Sequence, residues 1–173
     1  MRQVTTPEIL TCMINMTPQD LQVMSFPGLH ETLWDEREFL GWRDVHHNTK
    51  GYLVFWVGEE LRGLMVKAAE SQMPGGRSAI CALCHTQQPA PQVSLFTAPK
   101  AGDEGARGNT VGTYLCADLA CSTLIRITPA ESAEIPDASD TIAHKSLGIR
   151  DRLENFSNLS LIHISEPTRL RRI

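Results

Sequence analysis

The sequence predicts an α+β fold in which a small antiparallel sheet lies beside a metal site made by four cysteines. Four of the five cysteines form two close pairs, with two residues between Cys81 and Cys84 and four between Cys116 and Cys121. Short runs rich in aromatic and β-branched residues, bounded by glycine and proline, predict the strands. Threonine followed by proline, at two places near the N-terminus, predicts short helices.

The two cysteine pairs have the spacing of a structural zinc site. Zinc binds thiolates tetrahedrally at ~2.3 Å, and a tight turn with a two-residue spacer brings two sulfurs that close together. The 31 residues between Cys84 and Cys116 leave room for a β-hairpin between the pairs. Four thiolates fill the coordination sphere, so the predicted role of the metal is structural rather than catalytic. Cys81, Cys84, Cys116 and Cys121 are the predicted ligands of Zn²⁺.

Two other uses of these cysteines remain alternatives. Disulfides belong to oxidising compartments, and the N-terminal MRQVTTPEIL has no apolar stretch of the kind found in secretory signals. A thioredoxin-like redox role for Cys81 and Cys84 would require a βαβ context and no second matching pair. Both alternatives are therefore disfavoured, and we expect a cytoplasmic protein.

Length and charge narrow the class of protein further. The 173 residues, 42% of them hydrophobic, suffice for one compact domain. The longest apolar run, Tyr52–Val57, is far shorter than the ~20 residues of a membrane span, so no membrane partner is expected. A formal net charge of −4 argues against binding nucleic acid through a broad basic face.

Helices and a hairpin are predicted in the N-terminal part. Thr6-Pro7 and Thr17-Pro18 each place a capping hydroxyl before a proline at the first helical position. Aromatic and β-branched residues then indicate a change to β structure. The predicted strands are residues 39–42, 52–57 and 61–68, the last two flanking a turn at 58–60.

The cysteine-rich part follows a linker rich in proline and glycine at residues 71–76. Strands are predicted at 93–97 and 111–115, on either side of a polar loop at 98–110. An apolar periodic run from Cys116 to Ile127 predicts a helix that carries the last two ligands at its start. A cysteine turn, a hairpin and a helix, in this order, are typical of a treble-clef zinc finger.

Two segments near the C-terminus are interpreted differently. Ile142, Ile149, Leu153 and Phe156 lie at helical spacing and predict a last helix at 139–157. Residues 158–173 contain SLIHISEPTRLRRI, which resembles translated sequencing-adapter readthrough. We interpret them as a non-native tail that the fold does not need, with a genuine basic tail as the alternative.

Three blocks of sequence carry a resemblance to a known family. FLGWRDV (39–45), CALCHT (81–86) and GNTVGTYLCADLACS (108–122) resemble the C-terminal treble-clef zinc finger of the elongation-factor-G-binding proteins, which include the FusB-type fusidic-acid-resistance proteins. The short actinobacterial FBP-domain proteins are the most similar in layout. The resemblance implies that the chain binds zinc through the four cysteines, and that it binds elongation factor G on or near the ribosome.

The resemblance also implies a division of the chain. An FBP-type domain would cover residues 1–157, with an N-terminal part at 1–70, the treble-clef zinc finger at 77–128 and the last helix at 139–157. FusB-type proteins carry a helical bundle before the zinc domain, and the roughly 38 residues before the first predicted strand are too few for one. Binding to elongation factor G is therefore expected more firmly than fusidic-acid resistance.

A candidate partner surface lies in the loop of the metal hairpin. Lys100, Arg107 and Asn109 decorate this loop, and loops held by a rigid scaffold often carry binding residues. The alternative is that these side chains only add solubility. A ribosomal-RNA-binding or other nucleic-acid-binding finger, using the same loop, is the competing function.

The remaining candidates have simpler structural interpretations. We expect His85 at the surface beside a complete ligand set, His46 and His47 in a solvated turn rather than at a second metal, and Cys12 as a buried apolar residue. G-x-S-x-G, P-loop, G-x-G-x-x-G and H-E-x-x-H motifs are absent, so no catalytic residue and no enzymatic activity are predicted. Four aromatic residues are expected to be divided between core and surface: Trp34, Trp42, Phe55 and Trp56.

Overall fold

The computed structural model describes residues 1–71, 73–127 and 137–161. Its helices are α1 (Thr6–Cys12), α2 (Pro18–Gln22), α3 (Gly102–Ala106), α4 (Cys121–Ile127) and α5 (Ala138–Leu161). Its strands are β1 (Leu40–Arg43), β2 (Lys50–Val57), β3 (Glu60–Ala68), β4 (Ser78–Ile80), β5 (Gln87–Pro89), β6 (Val93–Pro99) and β7 (Thr110–Cys116). Short 3₁₀ turns lie at Leu29–Glu31, Trp34–Glu36 and Ala90–Gln92.

One antiparallel sheet runs through both predicted parts of the chain. Its five strands lie in the order β1-β2-β3-β6-β7, and each neighbouring pair is antiparallel. The joint between the two parts is the β3–β6 pairing, where Lys67 lies opposite Thr97 and Ala68 opposite Phe96. The zinc hairpin β6–β7 is therefore a continuation of the N-terminal sheet. A second sheet of two strands, β4 and β5, brackets the first cysteine pair.

The sheet is covered on both faces, which explains why β2 reads as a continuous apolar run rather than an alternating one. Leu53 and Phe55 of β2 belong to the core on the side of α5. Tyr52 and Val54 point to the opposite core, on the side of α1. The first core also contains the four paired cysteines and three residues of α5, namely Ile149, Leu153 and Phe156.

The N-terminal helices have the predicted capping chemistry with one shift in position. Thr17 caps α2 by accepting a hydrogen bond from the Asp20 amide at 3.2 Å. At α1 the cap is Thr5 rather than the predicted Thr6, because the helix begins one residue earlier than predicted, at Thr6, and places Pro7 in its first turn. The Glu8 carboxylate closes this cap by accepting hydrogen bonds from the Thr5 amide at 2.7 Å and the Thr5 hydroxyl at 2.6 Å.

The predicted strands of the main sheet are all present, with ends that differ by a few residues. Three features differ from the sequence predictions. The loop at 98–110 contains the short helix α3, the strands β4 and β5 were not predicted, and Cys116 ends strand β7, so that only Cys121 lies on the following helix.

Helix α5 extends beyond the predicted boundary at Ser157 and ends at Leu161. The side chain of Asn158 accepts a hydrogen bond from Arg62 at 2.8 Å, and the Ser160 carbonyl accepts one from the Ala101 amide at 2.9 Å. Residues 158–161 are thus part of the helix. The rest of the predicted tail, residues 162–173, lies outside the described residues, and its non-native origin stays a prediction. Within the described parts of the chain, no helix is both long and apolar enough to cross a membrane.

Candidate metal centre

The four paired cysteines come together at one buried point. Their sulfurs all lie within 4.8 Å of one another, with 3.6 Å between Cys81 and Cys121 and 3.7 Å between Cys84 and Cys116. Four sulfurs bound tetrahedrally to zinc at ~2.3 Å are roughly 3.8 Å apart, whereas a disulfide joins its sulfurs at about 2.05 Å. The arrangement therefore fits a closed Zn²⁺ site and excludes the two-disulfide alternative. Each of the four cysteines is at most 1% exposed.

The first cysteine pair lies in the tight turn between β4 and β5. His85 has a φ of 51°, in the left-handed region, and its amide donates to the Cys81 carbonyl at 2.9 Å. The Leu83 amide donates to the Cys81 sulfur at 3.4 Å. Amide donors at a thiolate favour its charged form, so this turn both places the two sulfurs and stabilises the charge of the Cys81 thiolate.

The second pair joins the end of β7 to the start of α4. Leu119 has a φ of 59°, and its amide donates to the Cys116 carbonyl at 2.9 Å, which turns the chain back toward the metal. Asp118 then accepts a hydrogen bond from the Ala120 amide at 3.0 Å, just before the helix begins. Cys121, as the first residue of α4, lies where the partial positive charge of a helix terminus favours an anionic sulfur.

The four thiols cannot all ionise without a cation among them. Hydrogen bonds from the Cys116 and Cys121 thiols lower the pKa of Cys84. The pKa of Cys121 is shifted in the opposite direction. It is raised by the hydrogen bonds of this thiol to Cys116, Cys81 and Cys84, and by its burial. A divalent cation removes this conflict because it stabilises every thiolate at once. Gln88 adds a further donor to the Cys116 sulfur, at 3.2 Å.

Two arginines that the sequence analysis missed hold the cysteine turns from outside. The Arg43 guanidinium of β1 donates to the Ala117 carbonyl at 2.9 Å, inside the second turn. The Arg152 guanidinium of α5 donates to the Leu83 carbonyl at 2.7 Å, inside the first turn. The sequence did contain a signal for Arg152. It lies three residues after Ile149 and four before Phe156, so helical spacing places a charged residue in line with the apolar residues of α5.

The other predicted candidates lie away from the metal. His85 is exposed and its ring is not among the clustered ligands. His46 and His47 are exposed in a turn where their amides bind the Asp44 carboxylate at 2.8 and 2.9 Å. In the part of the chain that the structure describes, the four-cysteine group is the one cluster of three or more potential metal ligands. Cys12 is buried, and burial raises the pKa of its thiol to about 12.

The aromatic candidates divide as expected. Trp42 and Phe55 are buried, and the Trp42 indole donates to the Ser25 carbonyl at 2.8 Å. Trp34 and Trp56 are half-buried. The Arg2 guanidinium lies 3.8 Å from the centre of the Trp56 ring, so the N-terminal segment packs on this tryptophan near the end of the β2–β3 hairpin.

The loop residues predicted to contact a partner lie together beside α3. Glu104 holds the loop closed because its carboxylate binds both the Arg107 guanidinium and the Asn109 amide. The Lys100 amide donates to the Asn109 carbonyl at 2.9 Å and so starts the pairing of β6 with β7. Arg107 keeps 68% of its side chain exposed. The loop is therefore ordered by its own contacts and still presents charged groups to solvent.

Comparisons with known proteins agree with this geometry. A family model described as the FBP C-terminal treble-clef zinc-finger matches residues 8–159. No curated protein sequence matches the chain. Among solved structures, that of the fusidic acid resistance protein FusC is similar, with a TM-score of 0.54 and 15% sequence identity over 84% of this chain. The match covers 54% of the FusC chain, so this chain spans about half the length of that protein.

Proposed function

From the premise that this chain belongs to the FBP C-terminal treble-clef zinc-finger family, we propose that it binds elongation factor G at the translating ribosome, in the cytoplasm. The single observation that supports this proposal most is the match of the family model over residues 8–159, which includes all four zinc ligands. The fold shared with a fusidic acid resistance protein is consistent with it. A contribution to fusidic-acid tolerance is the second part of the proposal.

We propose that the protein acts by binding and not by catalysis. Catalytic zinc keeps a coordination position open for water or substrate, and four cysteine ligands leave none. The zinc would hold the two cysteine turns in place, and through them the hairpin β6–β7. The role of the metal in function is then to make a rigid platform for the partner.

The loop between β6 and β7 is the part of that platform that we assign to the partner. Both of its ends continue into paired strands, so little conformational entropy is lost when it binds. Lys100, Arg107 and Asn109 are the residues we expect to contact elongation factor G. Because Arg107 is already paired with Glu104, an acidic group of the partner would have to compete with Glu104 or share the guanidinium with it.

The charge of this loop favours a protein partner over RNA. Residues 98–110 contain Lys100 and Arg107 but also Asp103 and Glu104, so the loop has no net charge. Binding through phosphate contacts requires an excess of basic groups and falls steeply as salt increases. We therefore propose a protein partner, and a shallow dependence of its affinity on salt.

The test is calorimetry of the zinc-loaded chain with purified elongation factor G at two salt concentrations. We expect an affinity in the micromolar range or tighter that changes little with salt. Replacing Lys100 and Arg107 together by alanine should weaken binding about tenfold, as for modest charged contacts at an interface rim. Zinc content should stay unchanged. Absence of any micromolar affinity in the parent would refute the proposed function, and unchanged binding of the double variant would move the contact elsewhere.

The second part of the proposal needs its own measurement. Expression of the chain in a fusidic-acid-sensitive bacterium should raise the drug concentration that stops growth. The matched control is Cys116→Ala, which removes one zinc ligand. Equal drug sensitivity with and without the parent chain would separate factor binding from drug tolerance.

A further inference from the structure

The outer edge of the sheet at β7 is open in the part of the chain that the structure describes. In an antiparallel strand, residues two apart direct their N–H and C=O groups to the same side. The Asn109 carbonyl points toward β6, where it accepts a hydrogen bond from the Lys100 amide. The Tyr114 carbonyl points to the opposite side, away from β6, and accepts a hydrogen bond from the Ala82 amide at 2.7 Å. Thr110 and Gly112 therefore direct their backbone groups outward, and those of Gly112 have no partner among the described residues.

This edge lacks the usual protection against strand pairing. Natural sheets guard their edges with charged residues, proline, bulges or very short strands. The opposite edge strand, β1, has four residues and ends in Arg43. In contrast β7 has seven residues, TVGTYLC, without a charge or a proline. The part of this edge that is open, residues 110–113, is thus available to pair with an added strand.

A groove beside the same edge determines what kind of partner fits. It lies between β7 and α5 and has a volume of about 220 Å³. Small-molecule sites are usually about 300–1,000 Å³, so the groove suits a side chain better than a free ligand. Val111 and Thr113 form its strand side, and Phe156 and Leu159 form its helix side. A strand added to β7 would direct alternate side chains into this groove.

The length of the open edge argues against a second copy of the chain as the main occupant. The Ala82 amide occupies the edge at Tyr114, which leaves four residues, Thr110–Thr113, for a new strand. Four residues span roughly 14 Å, and a pairing of that length buries far less than the ~1,200 Å² of a stable dimer interface. The edge is also continuous with the loop at 98–110, to which we assigned the partner.

We propose that an extended segment of the protein partner adds to β7 as a sixth strand of the sheet and places an apolar side chain in the groove between β7 and α5. This inference rests on the proposed function and specifies how elongation factor G would be held. Backbone hydrogen bonds to Gly112 would give the register, and the groove would select an aliphatic residue in the segment.

Gly112 offers a matched pair of variants. Gly112→Pro removes the outward N–H while leaving the inward pairs of Val111 and Thr113 with β6. Gly112→Ala keeps the N–H, and its β-carbon would meet Leu95 and Thr97 only at an ordinary 3.6 Å. In calorimetry with purified elongation factor G, Gly112→Pro should bind at least about tenfold more weakly than the parent. Gly112→Ala should bind within about twofold of the parent.

A second variant guards against a folding defect. Leu159→Glu puts a charge at the groove on a side chain that is 51% exposed, so the fold should tolerate it. We expect about tenfold weaker binding, with zinc content and melting temperature unchanged. If the parent binds and both Gly112→Pro and Leu159→Glu bind equally well, the inference is wrong and the proposed function survives. If the parent does not bind, the proposed function fails and the inference with it.

Amide hydrogen exchange identifies other occupants of the edge. In the free chain the Gly112 amide should exchange quickly, and saturation with elongation factor G should slow it. Protection that disappears on dilution would mean that a second copy covers the edge. Protection that disappears only when the chain is ended after Leu161 would mean that residues 162–173 cover it. Either result would overturn the proposal.

Discussion

Gly41 lies so close to Leu119 that a β-carbon at position 41 would be 2.5 Å from the Leu119 carbonyl oxygen. Leu119 belongs to the second cysteine turn, has a left-handed φ and is 1% exposed. Gly51, on the next strand, lies beneath its side chain, where a β-carbon would be 2.7 Å from the Leu119 Cδ1 atom. Because Gly41 and Gly51 have no side chains, the sheet leaves a space into which the second cysteine turn packs.

We predict that Gly41→Ala destabilises the protein strongly. The new methyl group would overlap a backbone oxygen and the Phe39 ring, neither of which can move without shifting the cysteine turn. The free energy of unfolding should fall by about 2–3 kcal/mol, as for other overpacked sites. Chemical denaturation measures it. Gly75→Ala is the control, since its β-carbon would meet nothing within 4 Å, and equal loss in both variants would show that the close contact is not the cause.

We predict one zinc ion per chain, and loss of structure when it is removed. Structural zinc binds with an apparent free energy on the order of 10 kcal/mol, which is comparable to the whole stability of a domain. Metal analysis should give one equivalent of zinc for the parent, and much less for Cys116→Ala. Circular dichroism with a strong chelator should show unfolding of at least the hairpin β6–β7. A native spectrum in a metal-free sample would contradict a structural role.

We predict that Arg152 slows the release of zinc. Its guanidinium holds the Leu83 carbonyl between the first two ligands, so its loss should let that turn open more often. Arg152→Met should accelerate zinc transfer to a chromogenic chelator about tenfold, because hydrogen bonds from charged groups contribute roughly 1.5–3 kcal/mol. The control is Arg150→Met on the exposed side of the same helix, which should leave the release rate unchanged. Equal release from Arg152→Met and the parent would mean that the metal alone holds the turn.

We predict that Asp44 stabilises the fold with a characteristic pH dependence. Burial by itself would raise the pKa of the Asp44 carboxyl, but hydrogen bonds from the Tyr52 hydroxyl at 2.8 Å and from the amides of His46 and His47 hold it well below its usual range. Because this pKa is lower in the folded state, the stabilisation is complete above the unfolded pKa of about 4 and is lost as pH falls below it.

Asp44→Asn should therefore cost about 2 kcal/mol of unfolding free energy at pH 7. The difference from the parent should shrink as the pH falls below about 4. Urea denaturation at a series of pH values provides the measurement, with the exposed Asp35→Asn as control. A difference that stays constant down to pH 2 would show that the ionised carboxylate is not the source.

We predict that the end of the native fold lies at Leu161 and not at Ser157. A chain ended after Ser157 loses the bond from Arg62 to Asn158 and the bond from Ala101 to Ser160. Its melting temperature should fall by roughly 3–6 °C, as expected for a loss of 1–2 kcal/mol in a chain of this size. A chain ended after Leu161 should melt with the parent. Scanning calorimetry distinguishes these outcomes, and a large drop for the longer version would show that residues 162–173 are needed.

The sequence by itself determined the ligand set, the main strands and the fold class. Cys81 and Cys84 define a tight turn by their spacing alone, and the aromatic and β-branched runs define strands by their own pattern. These features depend on residues close together in the chain. For the same reason the capping threonine before α2 was predicted correctly, since its hydrogen bond reaches only to Asp20.

Only the tertiary structure decided how these pieces form one body. The pairing of Lys67 with Thr97 joins the zinc hairpin to the N-terminal sheet. The bonds of Arg43 and Arg152 to the cysteine turns, and the packing of Leu119 onto Gly41, join positions far apart in the chain. Such contacts leave little trace in a local pattern, because what selects an arginine or a glycine at these positions is the shape and polarity of a distant segment that reaches them only after folding.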